Sequence, residues 1–297
     1  MDKVRLALEW FWNPDHVPLV LGRELGWFAE VGLEVEIIEP TAHLDPIRDL
    51  VEGRLDVAIT EPIHLVQDRA KGHPIVGFTR LLHTNGGVMY LRGRGITRPR
   101  DMAGKRIQYP GAPGPGGIAI VRTMIEADGG TCDPADLVPV NCGFSHTNAL
   151  ADDKADVATL AFYNFEVIEA RHRGFDAEYF ALKDWGVPDF CQLVLIAHER
   201  FLAERRDVAA RLVRVLRRGI DFIHERPIEA RELFEQRIGG GGDAMATAIF
   251  AATVPCFTRD FSMAREYYES LEDYCRRTGQ ITEGSSAAGC WTNTIAF

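Results

Sequence analysis

Short apolar stretches alternate with amphipathic ones along the first third of the chain. Leu33–Ile38 alternates apolar and polar residues, and residues 55–60 form a mostly apolar run bounded by turn signals. The helix-start signals Asn13-Pro14 and Glu61-Pro62 each follow an apolar stretch of this kind. This β-α-β-α-β order with short connections predicts a parallel sheet covered by helices.

A second set of the same kind follows the glycine-containing break at residues 85–87. Strands are predicted at residues 105–109, 137–140 and 156–160, with helices at 118–127, 145–152 and 164–173 between and after them. A strong apolar strand at residues 192–197 predicts a return to the first sheet. The rest of the chain is predicted to be mostly helical, and residues 206–226 carry apolar residues at the spacing of one helix face.

The predicted fold class is therefore α/β, with two lobes joined by two crossings. Lobe 1 is discontinuous, comprising residues 1–87 plus 192–297, and lobe 2 comprises residues 88–191. The crossings, near residues 83–91 and 188–195, are expected to act as a hinge. A small-molecule ligand is expected in the cleft between the lobes.

Composition narrows the function classes. The chain has 297 residues and a formal net charge of −10 without a large Lys/Arg cluster, which argues against nucleic-acid binding. It has no apolar run of about 18 residues, so no membrane span is predicted. The six cysteines form no Cys-x-x-Cys pair, and no metal site or cofactor is predicted. A strand begins directly after Met1, which predicts a cytoplasmic protein if the sequence is complete, and a periplasmic or lipid-anchored one if a leader was removed.

Candidate ligand-binding residues cluster where the first strand meets a helix. Trp10, Trp12, Asn13 and His16 lie in this junction, and ligands of open α/β sheets bind at the carboxyl ends of the strands. An aromatic ring at Trp10 would stack on a flat heterocycle. Trp12 fits a core position and a ligand contact equally well. His16 fits a structural or solvated position and a place in the cleft equally well; in the cleft it would hydrogen-bond a ring nitrogen or an amino group.

The junction after the third strand offers Glu61 and His64. The carboxylate of Glu61 would accept hydrogen bonds from an aminopyrimidine edge. Alternatively, Glu61 is an acid in the first turn of a helix, stabilised by the helix dipole. His64 is a candidate hydrogen-bonding partner of the same ligand, and no third ligand is spaced to make a metal site with His16.

In the second lobe, backbone amides at the start of a helix favour polar or anionic ligand groups. The candidates there are Gly111, Gly114 and Gly116. Ser145 is predicted to cap the helix that follows it. Tyr163 and Asn164 lie at a further junction, where an aromatic side chain is expected to contact the ligand.

Three segments of the chain resemble a known family. They are residues 8–16, containing Leu8-Glu9-Trp10 and Asn13-Pro14-Asp15-His16, together with residues 25–35 and 53–58. They resemble bacterial substrate-binding proteins for thiamine pyrimidine precursors and the fungal enzyme that makes hydroxymethylpyrimidine phosphate, which share the NMT1/THI5-like family. The resemblance spans roughly residues 3–235. It implies the type II periplasmic-binding-protein fold, and its ligand positions include Trp10, the loop at Gly114 and the aromatic cluster near Tyr163.

The resemblance also bears on catalysis. In the fungal-type enzyme, a lysine holds pyridoxal phosphate and a histidine four residues after it donates ring atoms. The histidine is present here as His64, but the lysine position is Thr60. Of the enzyme's cysteine-rich iron motif, only Cys191 remains. A threonine forms no Schiff base, so no catalytic residue is predicted.

The predicted function is therefore a solute-binding protein that captures a small flat heterocycle, of which a thiamine pyrimidine precursor is the leading candidate. An ABC transporter permease is the possible protein partner. The alternatives are a pyrimidine-synthesising enzyme and a binder of an alkylsulfonate-like anion.

Overall fold

The computed structural model describes residues 1–40, 46–111, 114–240 and 242–295. Its strands are β1 (Asp2–Ala7), β2 (Leu33–Ile38), β3 (Val57–Thr60), β4 (Ile75–His83), β5 (Gly86–Leu91), β6 (Arg106–Gln108), β7 (Val138–Val140), β8 (Val157–Phe162), β9 (Ala177–Ala181) and β10 (Gln192–His198). Its α-helices are α1 (Val17–Glu24), α2 (Trp27–Glu30), α3 (Pro46–Val51), α4 (Pro62–Ala70), α5 (Pro115–Ala127), α6 (His146–Ala151), α7 (Ile168–His172), α8 (Glu199–Glu204), α9 (Arg206–Glu225), α10 (Pro227–Ile238), α11 (Ala244–Thr253) and α12 (Arg265–Arg277).

The chain divides into two compact units. The first comprises Met1–His83, Gln192–Glu272 and Ile281–Phe297, and the second comprises Thr84–Cys191 and Asp273–Gln280. Each unit contains one five-stranded mixed sheet flanked by helices. The α/β class expected from the hydrophobic pattern is confirmed.

The sheet of the first unit has the order β2-β1-β3-β10-β4. β1 is parallel to β2 and to β3, with Leu6 opposite Val57 and Ala7 opposite Ala58. β10 is antiparallel to both β3 and β4. The apolar face of α9 is buried as predicted and packs on α1, where Gly219 lies so close to Pro18 that a Cβ would be 3.0 Å from its Cα.

The sheet of the second unit repeats this plan, with the order β7-β6-β8-β5-β9. Arg5 Nε lies 3.0 Å from Asp56 Oδ2, and Arg106 Nε lies 3.1 Å from Asp156 Oδ2. In both pairs the arginine's own backbone N–H donates to the same carboxylate at 2.8 Å. Each ion pair joins β1 or β6 to the amino end of its parallel neighbour, which is the central strand β3 or β8 of the sheet. The carboxyl ends of the same strands lead into the predicted site junctions.

The unit boundaries differ from the predicted lobes in two places. The first crossing falls at residue 83/84 instead of 87/88, because Gly86 and Gly87 already pair with β8. Asp273–Gln280 belongs to the second unit, where Tyr274 is buried and its hydroxyl lies 3.4 Å from Thr123 Oγ1. The two crossings lie side by side, since Thr84 N–H donates to Cys191 O at 2.9 Å. The hinge at these crossings stays a prediction.

None of the helices in the described ranges is both long and apolar enough to span a lipid bilayer.

Candidate ligand-binding site

The carboxyl ends of β1 and β3 lie side by side, because these neighbouring strands are parallel and paired in register. After β1 the chain reaches a 3₁₀ turn at Pro14–His16, and after β3 it enters α4 at Pro62. Residues 9–16 and 61–64 therefore follow the same edge of one sheet. The candidate residues of the first unit therefore follow strand ends at one edge of its sheet.

Asn13 and His16 form a capping box at the start of the 3₁₀ turn. Asn13 Oδ1 accepts a hydrogen bond from Asp15 N–H at 2.8 Å, and His16 Nδ1 accepts one from Asn13 N–H at 3.3 Å. His16 Nε2 lies 2.9 Å from Glu9 Oε1. Because Nδ1 accepts, we assign the proton of the neutral ring to Nε2, which donates to Glu9. Both Asn13 and His16 are buried, so these bonds hold the backbone of the loop in place.

Glu9 also changes the titration of His16. Burial disfavours charge on the ring, but the carboxylate of Glu9, assisted by Asp15 and Glu39, outweighs this effect and raises the pKa of His16 above 6.5. The hydrogen bond that Nδ1 accepts from Asn13 would be lost on protonation, which limits the rise.

Replacing Glu9 with glutamine is expected to change how stability depends on pH. The pKa of His16 is higher in the folded state, so its interaction with Glu9 stabilises the fold fully below the unfolded-state value of 6.5 and less as the pH rises through the folded-state value. The difference in free energy of unfolding between wild type and Glu9→Gln should be about 1 kcal/mol larger near pH 6 than near pH 9. Urea denaturation at both pH values measures it, with the exposed Glu24→Gln as control. Equal differences at the two pH values would contradict the assignment.

Trp10, Phe11 and Trp12 have different surroundings. Trp10 is 8% exposed and Phe11 is 37% exposed, and their ring centroids lie 4.3 Å apart at an interplanar angle of 51°. The guanidinium carbons of Arg23 and Arg237 lie 6.0 and 5.9 Å from the ring centroid of Trp12. The ring of Trp12 is thus in contact range of two arginine side chains of the protein, and it is half-buried against the core. The most exposed ring of the three is Phe11, which the sequence interpretation passed over.

At the end of β3, Glu61 pairs with His64. Glu61 Oε2 lies 2.8 Å from His64 Nδ1, and the two side chains remain 16% and 23% exposed. Glu61 occupies the N-cap position of α4, yet its side chain does not bond the helix amides. Burial disfavours charge on the ring of His64, but Glu61 outweighs this effect and raises the pKa of His64. The pair therefore combines an acceptor and a donor in one partly exposed position.

In the second unit, the glycines at the start of α5 pack against Tyr109. A Cβ on Gly116 would lie 2.6 Å from Tyr109 Oη, and one on Gly111 would lie 2.9 Å from Tyr109 Cε1. Gly114 is the N-cap of α5, and its N–H donates to Gly111 O at 2.8 Å. Residues 112 and 113 of the predicted loop lie outside the described residues. Glycine is therefore needed here to make room for the Tyr109 ring, whatever the loop binds.

Ser145 precedes α6, but the prediction that it caps this helix is wrong. Its backbone has φ −91° and ψ 60° instead of the extended conformation usual for an N-cap, and its side chain makes no cap hydrogen bond. The next residue, His146, is buried, with Nε2 3.8 Å from Glu166 Oε1. Burial lowers the pKa of His146 to about 4, so this ring is neutral at neutral pH.

Tyr163 and Asn164 belong to a π-helical turn, Tyr163–Val167, which replaces the first turn of the helix predicted there. Tyr163 is 39% exposed, and its ring centroid lies 5.3 Å from that of Tyr179. Asn164 is buried, and its Oδ1 accepts a hydrogen bond from the Thr84 hydroxyl at 2.6 Å. Turns of this kind are frequent at functional sites. Here the turn exposes Tyr163 and connects Asn164 to the first crossing.

The chain thus has two α/β units with polar and aromatic residues after their parallel strands. A family model described as NMT1/THI5 like matches residues 13–230. A formylaminopyrimidine-binding protein of Halalkalibacterium halodurans is 32% identical over 231 residues, which are 77% of this chain and 69% of that protein. This chain belongs to the NMT1/THI5-like family.

Relatives with a different name also match this NMT1/THI5-like protein. A 4-amino-5-hydroxymethyl-2-methylpyrimidine phosphate synthase of Legionella pneumophila is 28% identical over 296 residues, covering 98% of this chain and 92% of the relative. The relatives thus include proteins named for binding and proteins named for synthesis.

Solved structures place the NMT1/THI5-like chain in the periplasmic-binding-protein fold, as expected. The alkanesulfonate-binding protein SsuA of Xanthomonas axonopodis pv. citri matches with a TM-score of 0.75 at 13% identity, covering 98% of each chain. A Candida albicans protein with the generic periplasmic binding protein fold matches with a TM-score of 0.74 at 14% identity, covering 100% of this chain and 98% of that one. At these identities the similarity shows the fold alone.

The lysine that would hold pyridoxal phosphate has no counterpart at the end of β3. Thr60 occupies the position and is 8% exposed. The lysines of this NMT1/THI5-like chain lie elsewhere: at the amino ends of β1, β6 and β8, at the end of α4 and after β9 (Lys3, Lys105, Lys154, Lys71 and Lys183). The residues at this strand end therefore do not fit covalently held pyridoxal phosphate. In the described ranges, no three His, Cys, Asp or Glu side chains are grouped to hold a metal ion.

Sequence reasoning missed three residues that shape the site. Glu9 belongs to the site because it pairs with His16 across a non-helical loop. No rule of sequence spacing predicts a side-chain pair across such a loop. Tyr109 had a usable signal, because it lies two residues before the glycine-containing loop, whose missing side chains leave room for a ring. Phe11 lies between two tryptophans, and only the structure shows that the middle ring is the exposed one.

Proposed function

We propose that this protein binds a small flat heterocycle without transforming it, and that its ligand is a thiamine pyrimidine precursor of the formylaminopyrimidine or hydroxymethylpyrimidine type. The observation that carries the proposal is the partly exposed Glu61–His64 pair at the end of β3, with its atoms 2.8 Å apart. A carboxylate accepts hydrogen bonds from an exocyclic amino group, as it does from that of cytosine. The second ring nitrogen of His64 is a donor or acceptor for a pyrimidine nitrogen.

The other residues of the first unit support this pair. Asn13 and His16 fix the neighbouring loop through their capping box and the bond to Glu9. Trp10, Phe11 and Trp12 are the three adjacent aromatic residues of that loop. In the second unit, the residues proposed to contact ligand are the backbone of the α5 start and the side chains near the π-helical turn (Gly111, Gly114, Gly116, Ser145, Tyr163 and Asn164).

Binding without chemistry is supported by Thr60. Its hydroxyl cannot form the Schiff base on which pyridoxal phosphate chemistry depends. The proposal also agrees with the Halalkalibacterium halodurans relative, whose name states that it binds formylaminopyrimidine. We further propose that the protein delivers its ligand to the permease of an ABC importer, because one structural neighbour is the ligand-binding component of an ABC-type import system from Staphylococcus aureus.

The second candidate function is that of 4-amino-5-hydroxymethyl-2-methylpyrimidine phosphate synthase. It is favoured by the Legionella pneumophila relative of that name, which aligns over nearly the whole chain. The presence of His64, which the resemblance identifies as the ring-donating histidine of the fungal-type enzyme, supports it. Thr60 opposes it.

Thermal unfolding with candidate ligands separates the two functions. Formylaminopyrimidine or 4-amino-5-hydroxymethyl-2-methylpyrimidine at about 100 times its Kd is expected to stabilise the fold by about 3 kcal/mol through mass action. Pyridoxal phosphate is expected to give no absorbance band of a protein-bound Schiff base, and His64 should keep its mass. A shift with an alkylsulfonate alone would contradict the pyrimidine assignment, and a pyridoxal band or a modified His64 would favour the synthase.

A further inference from the structure

Phe11 and Tyr163 are the two most exposed aromatic side chains among the described residues, at 37% and 39%. Phe11 follows the carboxyl end of β1 in the first unit, and Tyr163 directly follows β8 in the second. Aromatic side chains bury large apolar areas, so leaving one exposed forgoes that stabilisation. Among the described residues, both of these exposed rings occur at junctions where α/β proteins bind their ligands.

Each exposed ring is backed by a second, less exposed ring. Trp10 lies behind Phe11 with ring centroids 4.3 Å apart, and Tyr179 lies behind Tyr163 with centroids 5.3 Å apart. The ring planes are tilted by 51° and 39°, respectively. The backing ring restricts the rotamers of the exposed one, so the same arrangement of a supported surface ring occurs once in each unit.

The backbone that carries Phe11 is also fixed. Asn13 Nδ2 donates to Phe11 O at 3.0 Å, and Trp12 N–H donates to Glu39 Oε1 at 2.9 Å. Phe11 is therefore exposed on a loop whose backbone is held by hydrogen bonds. A ring held in place before binding loses little conformational entropy when a ligand covers it.

We propose that Phe11 is the side chain of the first unit whose ring contacts the heterocycle, and that Trp10 is a positioning residue behind it. This inference rests on the proposed function and refines it. The sequence favours Trp10 as the residue that stacks on the heterocycle, and the inference assigns that contact to Phe11 instead. Trp10 is 8% exposed, which leaves little of its surface for a ligand. Phe11 offers more apolar area, beside the loop that Asn13 and His16 hold in place.

Isothermal titration with formylaminopyrimidine tests the inference. Phe11→Ala is expected to weaken binding about tenfold or more, since it removes both apolar area and ring stacking. Phe11→Tyr, which keeps the ring, should bind within about threefold of wild type. Trp10→Phe should also stay within about threefold, because the conservative variant retains a ring behind Phe11.

Ile228→Ala is the matched control, since Ile228 is a 68% exposed apolar residue of α10 that takes no part in the proposed site. It should bind as wild type does, and urea denaturation should show Phe11→Ala to be as stable as Ile228→Ala. If wild type binds and Phe11→Ala binds equally well, this inference is overturned while the proposed function stands. If Trp10→Phe weakens binding more than Phe11→Ala, Trp10 is the stacking residue. If wild type binds no pyrimidine, both the inference and the proposed function are wrong.

Discussion

Replacing Glu61 with glutamine is expected to weaken binding of formylaminopyrimidine by about ten- to a hundredfold. The carboxylate lies 2.8 Å from His64 Nδ1 and remains partly exposed at the end of β3. An amide of the same shape keeps one oxygen acceptor but loses the negative charge, and hydrogen bonds to charged groups contribute about 1.5–3 kcal/mol. The loss of that charge also removes the attraction that raises the pKa of His64, so both partners of the pair are affected. Isothermal titration measures the change.

Glu232→Gln is the control for this substitution, because Glu232 is an exposed glutamate of α10. It should leave the Kd unchanged, and both variants should unfold at urea concentrations close to that of wild type. If Glu61→Gln binds as tightly as wild type, the Glu61 carboxylate does not bind the ligand, and the proposed function loses its main support. It would instead favour the interpretation of Glu61 as an acid that stabilises the start of α4.

Replacing Gly86 with alanine is expected to lower the free energy of unfolding by about 3 kcal/mol. Gly86 is the first residue of β5, and a Cβ there would lie 1.7 Å from Cys191 Sγ and 2.8 Å from Cys191 Cβ. Both residues are buried, so the overlap forces the two crossing segments apart, and overpacking of this kind costs about 1–3 kcal/mol or more. Urea denaturation followed by circular dichroism measures the loss.

Gly240→Ala provides the control, since a Cβ at Gly240 would lie within 4 Å of no atom in the described parts of the chain outside its own neighbours. It should change stability by less than about 0.5 kcal/mol. The double variant Gly86→Ala with Cys191→Gly removes the overlapping side chain. It should be more stable than the sum of the two single changes predicts, because the residues touch. Full stability in Gly86→Ala alone would show that the crossings can separate at no cost.

Much of the fold follows from local patterns. The alternating residues 33–38 form β2 with the predicted bounds, and the apolar spacing of residues 206–226 becomes the buried face of α9. These predictions succeed because each element must bury one face, and the period of the apolar residues identifies it. The π-helical turn at Tyr163–Val167 was not predictable in this way. Within this turn the carboxylate of Glu166 accepts a hydrogen bond from Phe162 N–H at 2.8 Å, a contact that the spacing of apolar residues does not encode.

For this protein, the sequence by itself determined the order of strands and helices, the family, and the chemical types of residue at each strand end. Thr60 and the absence of a lysine near it are likewise facts of sequence. The tertiary structure alone decided which of these side chains are accessible. Trp10, Phe11 and Trp12 are adjacent aromatic residues, yet the ring of Trp10 is buried beside Phe11, the ring of Phe11 is exposed and the ring of Trp12 lies near the guanidinium groups of two arginines. Exposure depends on contacts with residues distant in the chain, such as Arg237, and no local pattern contains that information.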